Sequence, residues 1–585
     1  MRARALFGIA FGLAASVVAA PAASAAPGVP GRGSDPVVLD GADVPSLLGA
    51  DPGAVVAFSY DDGWTQVPVQ VDERAVVDYG VVRQIGNGYD HDAYTDPGTF
   101  AGPDPDPGVD AGDEIAFMAK DAGSAAASEP DPAGVEPGTR ARIEISDPLE
   151  PATERIVYLF RSDGSLDPAA GRSYVDYDFA LDSGAYKSSY DFNGVADVTA
   201  DAPPANPESS SVTTTAYAQS LLSRWVTDAL TLRTGAAPGP DILDGDKAQV
   251  ARGCGRSELT FSRGGGGFIA NISGPVRAIR SQIGANSGTY TQRDDIFYER
   301  RQDTVTYLRV HAGISQISQF RDYSANAIGM TYRNSAYPGG VTIDGVPDAG
   351  IPVPAGSTAL QPAAEWEQVT GPAGSIVTTT RIDTNLPAYT PGSFYRDQGS
   401  SPTFGQCGGY ADYLSYGTSG NELTSSGANT DPTLGSAYRL TATRTTFFDP
   451  PYGSAADAAG RSDQVDSPLA AKAVVEEPGP PLLKLRRVGR KRPIEAGGRL
   501  RTRLAVANRG AVTATDVRVC ARVPGRLGTA SRCRRFDRLR ADAGRRARFV
   551  ITARRRARGS LRVYYRASAA NAGTLELGVT IPVKR

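Results

Sequence analysis

The sequence predicts a mostly β protein: a large body rich in β-sandwich with at least one packed helix, followed by a small immunoglobulin-like β-sandwich. Three observations predict it. With 66 Gly and 42 Pro but only 3 Met among 585 residues, the chain is turn-rich, a composition that favours sheets over helix bundles. Short runs alternate apolar and polar residues, as where Val67, Val69 and Val71 interleave with Gln66, Pro68 and Gln70. Charge also divides the chain. Residues 480–585 carry 29 Lys and Arg against 5 Asp and Glu, and the rest carries 32 against 59. The formal net of -3 therefore joins an acidic body near -27 to a basic tail near +24, two surfaces suited to different partners.

The N-terminus reads as an export signal over residues 1–25. Arg2 and Arg4 precede an apolar run, and Ala23-Ser24-Ala25 supplies small residues for cleavage. The run is short for a membrane span, and no other stretch approaches about 18 apolar residues. We expect a secreted, extracellular or cell-wall-associated protein with no integral membrane span. Four Cys in an exported chain point to disulfides, with three possible connectivities. The pairing that follows domain boundaries joins Cys520 to Cys533 and Cys254 to Cys407.

The acidic body is expected over residues 35–452, with a break between subdomains near 200–215. "VVAFSY" and "WTQVPVQVDE" read as strands around an Asp-Asp-Gly turn, with Pro68 marking an edge or bulge. "EIAFMA" reads as a buried strand, and "RARIEISD" with "RIVYLFRSD" as a hairpin. Tyr217, Leu221, Leu222, Trp225, Ala229 and Leu232 fall at helical spacing, which predicts a helix over 216–233 ended by Gly235. Strand patterns then return in "FIANIS", "VRAIRSQIG", "DIFYERR", "TVTYLRVHAGI", "SIVTTTRI" and "YRLTATRTTFF". Residues 453–481 are small, polar and proline-ended, as a linker is.

The basic tail over 482–585 has a distinctive order. A Gly-Gly turn leads to a strand ending in Asn508-Arg509-Gly510, and the strand "ATDVRVCARVP" then ends at Pro524. Over about residues 482–582 this grammar resembles the cell-adhesion-related domain of bacteria, an immunoglobulin-like module appended to exported proteins. The resemblance implies adhesion or display and carries no catalytic residues. The Arg load departs from that pattern. Arg501, Arg503, Arg518 and Arg522 sit at alternate, solvent-facing positions, which suits attachment to an anionic envelope polymer. An export signal argues against nucleic acid as that polyanion.

Familiar catalytic motifs are absent. Only two His, His91 and His311, are present, which excludes a three-His metal site. There is no Gly-x-Ser-x-Gly elbow, and the run Gly264–Gly267 lacks the Lys-Ser/Thr of a phosphate loop. The richest segment runs from Asn271 to Gly313. Period-two spacing places Tyr307, Arg309 and His311 on one strand face, with Arg277 on a neighbouring strand. Such a set would suit an acidic sugar: Arg neutralises a uronate carboxylate, His311 or a Tyr takes the adjacent proton, and a Tyr protonates the leaving oxygen. Asn286, Tyr290, Arg293 and Tyr298 are candidate ligand-binding residues beside them. The long strands and the "GPVR" segment resemble the β-supersandwich of some polysaccharide lyases and mutarotase-like proteins. No catalytic motif of those families matches residue by residue. The expected function is glycan binding by the body. The alternatives are a lyase or hydrolase of acidic glycans, and a structural adhesion protein without ligand chemistry. Finally, Asp104, Asp106, Asp110 and Asp113 present hard oxygen ligands suited to calcium, with "DILDGDK" at 241–247 a second candidate.

Overall fold

The computed structural model describes residues 28–78, 90–99, 101–126, 129–182, 186, 208–223, 226–251, 266–284, 291–309, 316–348, 361–386, 389–399, 405–406, 410–411, 415–425, 439–474, 481–489, 492–510, 512–529, 532–540 and 543–584. The expected export signal lies outside them. Strands dominate, as the composition predicts.

A first sandwich opens the body. One sheet orders Pro36–Asp40, Glu114–Met118 and Gln70–Asp72. The other orders Trp64–Val67, Val55–Tyr60, Glu150–Arg161, Ala141–Asp147 and Ala470–Val474. Alternation builds its core: Val37 and Leu39, Ile115 and Phe117, Ile143 and Ile145, Val157 and Leu159 all point inward. Each fully buried side chain of this kind contributes about 1.5–3 kcal/mol of apolar burial.

The second, larger sandwich is built on a nine-stranded antiparallel sheet. Its order is Gly266–Ser273, Ala278–Gly284, Thr291–Phe297, Arg301–Arg309, Arg439–Asp449, Gly374–Thr384, Glu367–Gly371, Thr331–Asn334 and Tyr337–Thr342. Facing it are a four-stranded sheet (Val175–Asp178, Ser210–Thr214, Tyr217–Ser223, Val226–Leu232) and a five-stranded sheet that includes Leu243–Ala251, Gln316–Tyr323, Ser415–Ser425 and Tyr389–Gln398. Tyr217 stacks on Phe448 at 3.8 Å and Tyr332 on Tyr395 at 4.1 Å, two aromatic pins between the layers. Around them Val212, Leu230, Ile242, Val276, Val369 and Ile376 belong to one apolar core, and polar pairs cross the same interface. Arg280 pairs with Glu208, Gln219 donates to Gln302, and Arg321 donates to Thr378 and Thr446.

Two expectations are corrected here. In place of the helix expected over 216–233, Tyr217–Ser223 and Val226–Leu232 pair as antiparallel strands, with Tyr217 opposite Leu232 and Gln219 opposite Leu230. This register puts apolar residues on one face by cross-strand pairing, which the helical spacing mimics. Val175–Asp178 pairs with Ser210–Thr214, so these two strands share one sheet. Residues 453–481 are not simply a linker. Ala455–Asp466 is a helix capped by a Ser454–Asp457 box, and Ala458 packs on Trp366, Val377 and Phe447. Ala470–Val474 then adds an edge strand to the first sandwich beside Ala141–Asp147. The packed helix exists, but in this segment.

The basic tail is a two-sheet antiparallel sandwich. One sheet orders Leu483–Val488, Arg499–Asn508, Gly544–Ala553 and Leu527–Thr529; the other contains Ala514–Arg522, Cys533–Leu539, Gly559–Ala569 and Ala572–Lys584. Leu504, Val506, Val517, Val519, Phe549, Ile551, Val563 and Tyr565 fill its core. Cys520 and Cys533 stand opposite each other on adjacent strands and form a disulfide. Cys254 and Cys407 lie outside the described residues. No helix among the described residues is long and apolar enough to cross a membrane.

Candidate functional site

The "GPVR" segment brings Arg277 against the first sandwich. Gly274 permits the approach, since a Cβ there would lie 2.1 Å from Gln70 Oε1. That oxygen accepts from the backbone of Val276 and Arg277. The Arg277 guanidinium is 1% exposed. Its Nε donates to Asp72 Oδ2 at 2.8 Å, its Nη2 to Glu114 Oε2 at 2.6 Å, and its Nη1 to the Tyr298 hydroxyl at 3.3 Å. Burial raises the pKa of Asp72 despite Arg277. Glu114 is also buried, but Arg277 and Arg74 outweigh that and lower its pKa.

Glu114 extends this network outward. It accepts from Arg74 Nη1 at 2.6 Å and from the Tyr94 hydroxyl at 2.9 Å, and Arg74 reaches Asp92 at 3.0 Å. These residues lie on or beside the hairpin of Arg74–Asp78 and Asp90–Tyr94. The same hairpin places His91 against Tyr307 of the nine-stranded sheet, ring centroids 4.8 Å apart and planes at 65°. Both rings are half-buried, while Asp92 and Arg439 beside them are exposed. Burial, with the charges of Arg74 and Arg439, lowers the His91 pKa to about 4. The imidazole is therefore neutral at pH 7, able to donate one hydrogen bond and accept another. Deeper in, Asp294 accepts from Ser281 and Gln292, and burial raises its carboxyl to about 6.

The structure thus brings Tyr307 together with His91, Arg74 and Asp92. Arg277 serves an internal ion network, so it cannot neutralise a ligand carboxylate. Tyr298 is buried against Arg277, and Arg293 is buried beside Asp295, so neither meets a ligand. The backbone of Arg309 pairs with Arg439 at the end of its strand. His311, Tyr290 and Asn286 lie outside the described residues. His91, Arg74, Glu114 and Tyr94 were missed, and the one available signal was that His91 is half of the chain's histidine content.

The acidic loop is partly as expected. One carboxylate oxygen from each of Asp104, Asp110 and Asp113 lies within 4.8 Å of the others. Asp106 stands apart from that group; its carboxylate accepts from the backbone of Gly108 at 3.4 Å. Burial, reinforced by neighbouring carboxylates, raises Glu73 and Asp104; in Asp113, burial raises the pKa against two backbone hydrogen bonds. In the second candidate, Asp241 is occupied in capping the backbone of Leu230 and Leu243.

On the basic sandwich, like charges stand directly opposite across strands. Arg503 faces Arg548, and Arg518 faces Arg535. All four side chains are exposed. Such pairs destabilise a sheet in isolation.

No protein family matches the chain, and no curated protein matches it. Among solved structures, it is similar to a glycosyl hydrolase family 38 protein and an alpha-mannosidase, both from Enterococcus faecalis. Identities are 10% and 9%, TM-scores 0.35 and 0.36, with 89% of this chain covered in each case. An E. coli alpha-2-macroglobulin matches at 9% identity and a TM-score of 0.16, over 91% of this chain and 52% of that one. The chain spans about half the length of the two Enterococcus proteins, 56% and 55%. Likenesses this low carry no argument about function.

Two consequences follow for the folded protein. Arg277→Ala leaves Asp72 and Glu114 buried without their cation, and we expect it to cost about 3–5 kcal/mol in urea unfolding; a loss near zero would show that the pair is not the tie described. His91 is protonated in the unfolded chain below its ordinary pKa of 6.5, but in the folded chain only below about 4. Its contribution to stability is therefore intact above pH 6.5 and lost as pH falls towards 4. Unfolding of His91→Gln should show a shallower decline across that window than the parent, and imidazole NMR should find one His titrating near 4.

Proposed function

We propose that the body binds a carbohydrate at the ledge formed by Tyr307 and His91, and that the basic sandwich tethers or displays an exported protein on an anionic envelope polymer. The observation that carries the first part is the half-buried Tyr307 ring packed edge-on against a neutral His91. An aromatic ring suits the apolar face of a sugar. Exposed Asp92 and Arg439 flank it and suit hydroxyls or a sugar carboxylate. Arg74 and Glu114 hold the hairpin from behind, so the ledge is fixed before a ligand arrives. The tether rests on the exposed Arg residues of the sandwich, among which Arg503 faces Arg548 while Arg518, opposite Arg535, is paired with Asp516, and on the resemblance of this region to adhesion modules.

A second reading, a lyase or hydrolase of acidic glycans, would draw on Asp294, whose burial raises its carboxyl to about 6 but also keeps it from direct contact with a ligand. Against it, an imidazole held near 4 is a weak base at pH 7. Calorimetric titration with neutral and uronate oligosaccharides separates these readings. Binding should weaken at least about tenfold, or about 1.4 kcal/mol, in both Tyr307→Ala and His91→Ala. Unsaturated or shortened products, lost in Asp294→Asn, would favour catalysis. No binder in the panel would leave only adhesion. The tether should fail with salt, because exposed charges are screened within about 10 Å at 0.1 M. Retention on a heparin or teichoic-acid matrix that is indifferent to salt would contradict it.

A further inference from the structure

The structure assigns a calcium site to the loop Asp104–Asp113, with Asp104, Asp110 and Asp113 as ligands. Three carboxylates from one loop converge so that their offered oxygens lie within 4.8 Å of one another. Calcium binds oxygens at about 2.3–2.6 Å, so two ligands on opposite sides of one ion stand about 5 Å apart. Proximity alone would not distinguish this loop from any acidic turn, but the state of Asp104 does. Its side chain is 9% exposed, Oδ1 accepts from the Asp106 amide at 2.7 Å, and Oδ2 is buried with no hydrogen-bond partner among the described residues. A buried carboxylate oxygen left unmatched is costly unless a cation or donor meets it.

The remaining ligands are held ready in the same way. Asp113 is fully buried, and its two oxygens accept from the backbone amides of Arg74 and Asp110 at 2.9 and 2.8 Å. Each oxygen keeps a further lone pair. Asp110 Oδ1 accepts from Gly112 at 2.7 Å, which orients its carboxylate. No Lys or Arg forms an ion pair with Asp104, Asp110 or Asp113 among the described residues. Glu73 lies near enough for Asp104, Asp110 and Asp113 to raise its pKa. An all-oxygen set with this much charge selects a hard cation, and the absence of Cys and His from it excludes a soft-metal site.

Occupancy would bear on the ledge described above without depending on it. Asp113 fixes the backbone of Arg74, and the next residue, Glu114, fixes its guanidinium. A cation holding Asp113 therefore holds both ends of the residue that supports the His91 hairpin.

The test uses the full chain, stripped with EDTA and dialysed. Calorimetric titration with calcium chloride should give saturable binding of one ion and raise the melting temperature by several degrees, with magnesium chloride giving a smaller rise. At one hundred times the Kd, the ion should shift the folding equilibrium about 100-fold. Asp104→Asn and Asp110→Asn should each weaken binding at least tenfold, whereas Asp106→Asn should not. The parent titration stands even if a variant folds poorly. Absence of binding and of any melting shift at about 10 mM calcium, in the range that saturates weak extracellular sites, would overturn the assignment. Binding unchanged in both Asp104→Asn and Asp110→Asn would also overturn it, by placing the ion elsewhere.

Discussion

A guanidinium, 1% exposed, sits at the centre of the polar contact between the two sandwiches of the body. Arg277 belongs to the nine-stranded unit, and its carboxylates Asp72 and Glu114 belong to the first sandwich, 205 and 163 residues away. Removing these charges from water costs several kcal/mol per ion, and only close pairing with further hydrogen bonds offsets it. The additional bonds are present: Gln70 braces Asp72, Tyr298 reaches Arg277, and Arg74 with Tyr94 completes Glu114. Two neighbouring ion pairs, Arg301 with Asp35 and Lys120 with Glu299, tie the same units. The His91 hairpin hangs on this network through Arg74, so the shape of the ledge follows from a charge pair that no ligand reaches.

The same device recurs inside the large sandwich. Arg280 with Glu208, Gln219 with Gln302, and Arg321 with two Thr hydroxyls stand among the apolar contacts between layers. Apolar contacts are non-directional and tolerate sliding. A one-residue slip of a strand turns every side chain to the other face, and here it would strand a buried charge without its partner. Polar layers of this kind make the register of the nine strands specific, while the aromatic stacks of Tyr217 on Phe448 and Tyr332 on Tyr395 supply the apolar adhesion.

Fold class was legible because it rests on composition and period-two alternation, which sheets impose locally. What was not legible depended on contacts between distant segments. Tyr217, Leu221 and Leu232 recur at helical spacing along the chain, yet they share one face of two paired strands, a pairing that spacing alone does not encode. The real helix escaped notice because its buried side is mostly Ala, with Ala455, Ala458 and Ala459 against Trp366 and Phe447. Its Ser454–Asp457 cap was the visible sign. Tyr307 could be picked out by type and strand position. Its partner His91 lies more than two hundred residues earlier, on a short strand whose charged sequence "DHDAY" reads as loop. Arg277 was singled out for its chemistry, but its burial follows from Gly274 meeting Gln70, which no spacing along the chain encodes.

The division of charge sets a condition on any partner of the basic sandwich. The acidic body carries near -27 and the tail near +24, so each chain, and each neighbouring copy, already offers the tail an anionic surface. At physiological salt that attraction is screened beyond about 8 Å, and the body's carboxylates are in part neutralised by its own Arg, as at Arg74 and Arg277. A partner that displaces this background must present charge more densely than a folded acidic surface does. The Arg503–Arg548 and Arg518–Arg535 pairs lie on separate sheets of the sandwich, so a flexible polymer that wraps both can engage more of them than a rigid protein face meeting only one. The linear polyanion proposed above as the tail's partner would meet both conditions, charge density and flexibility.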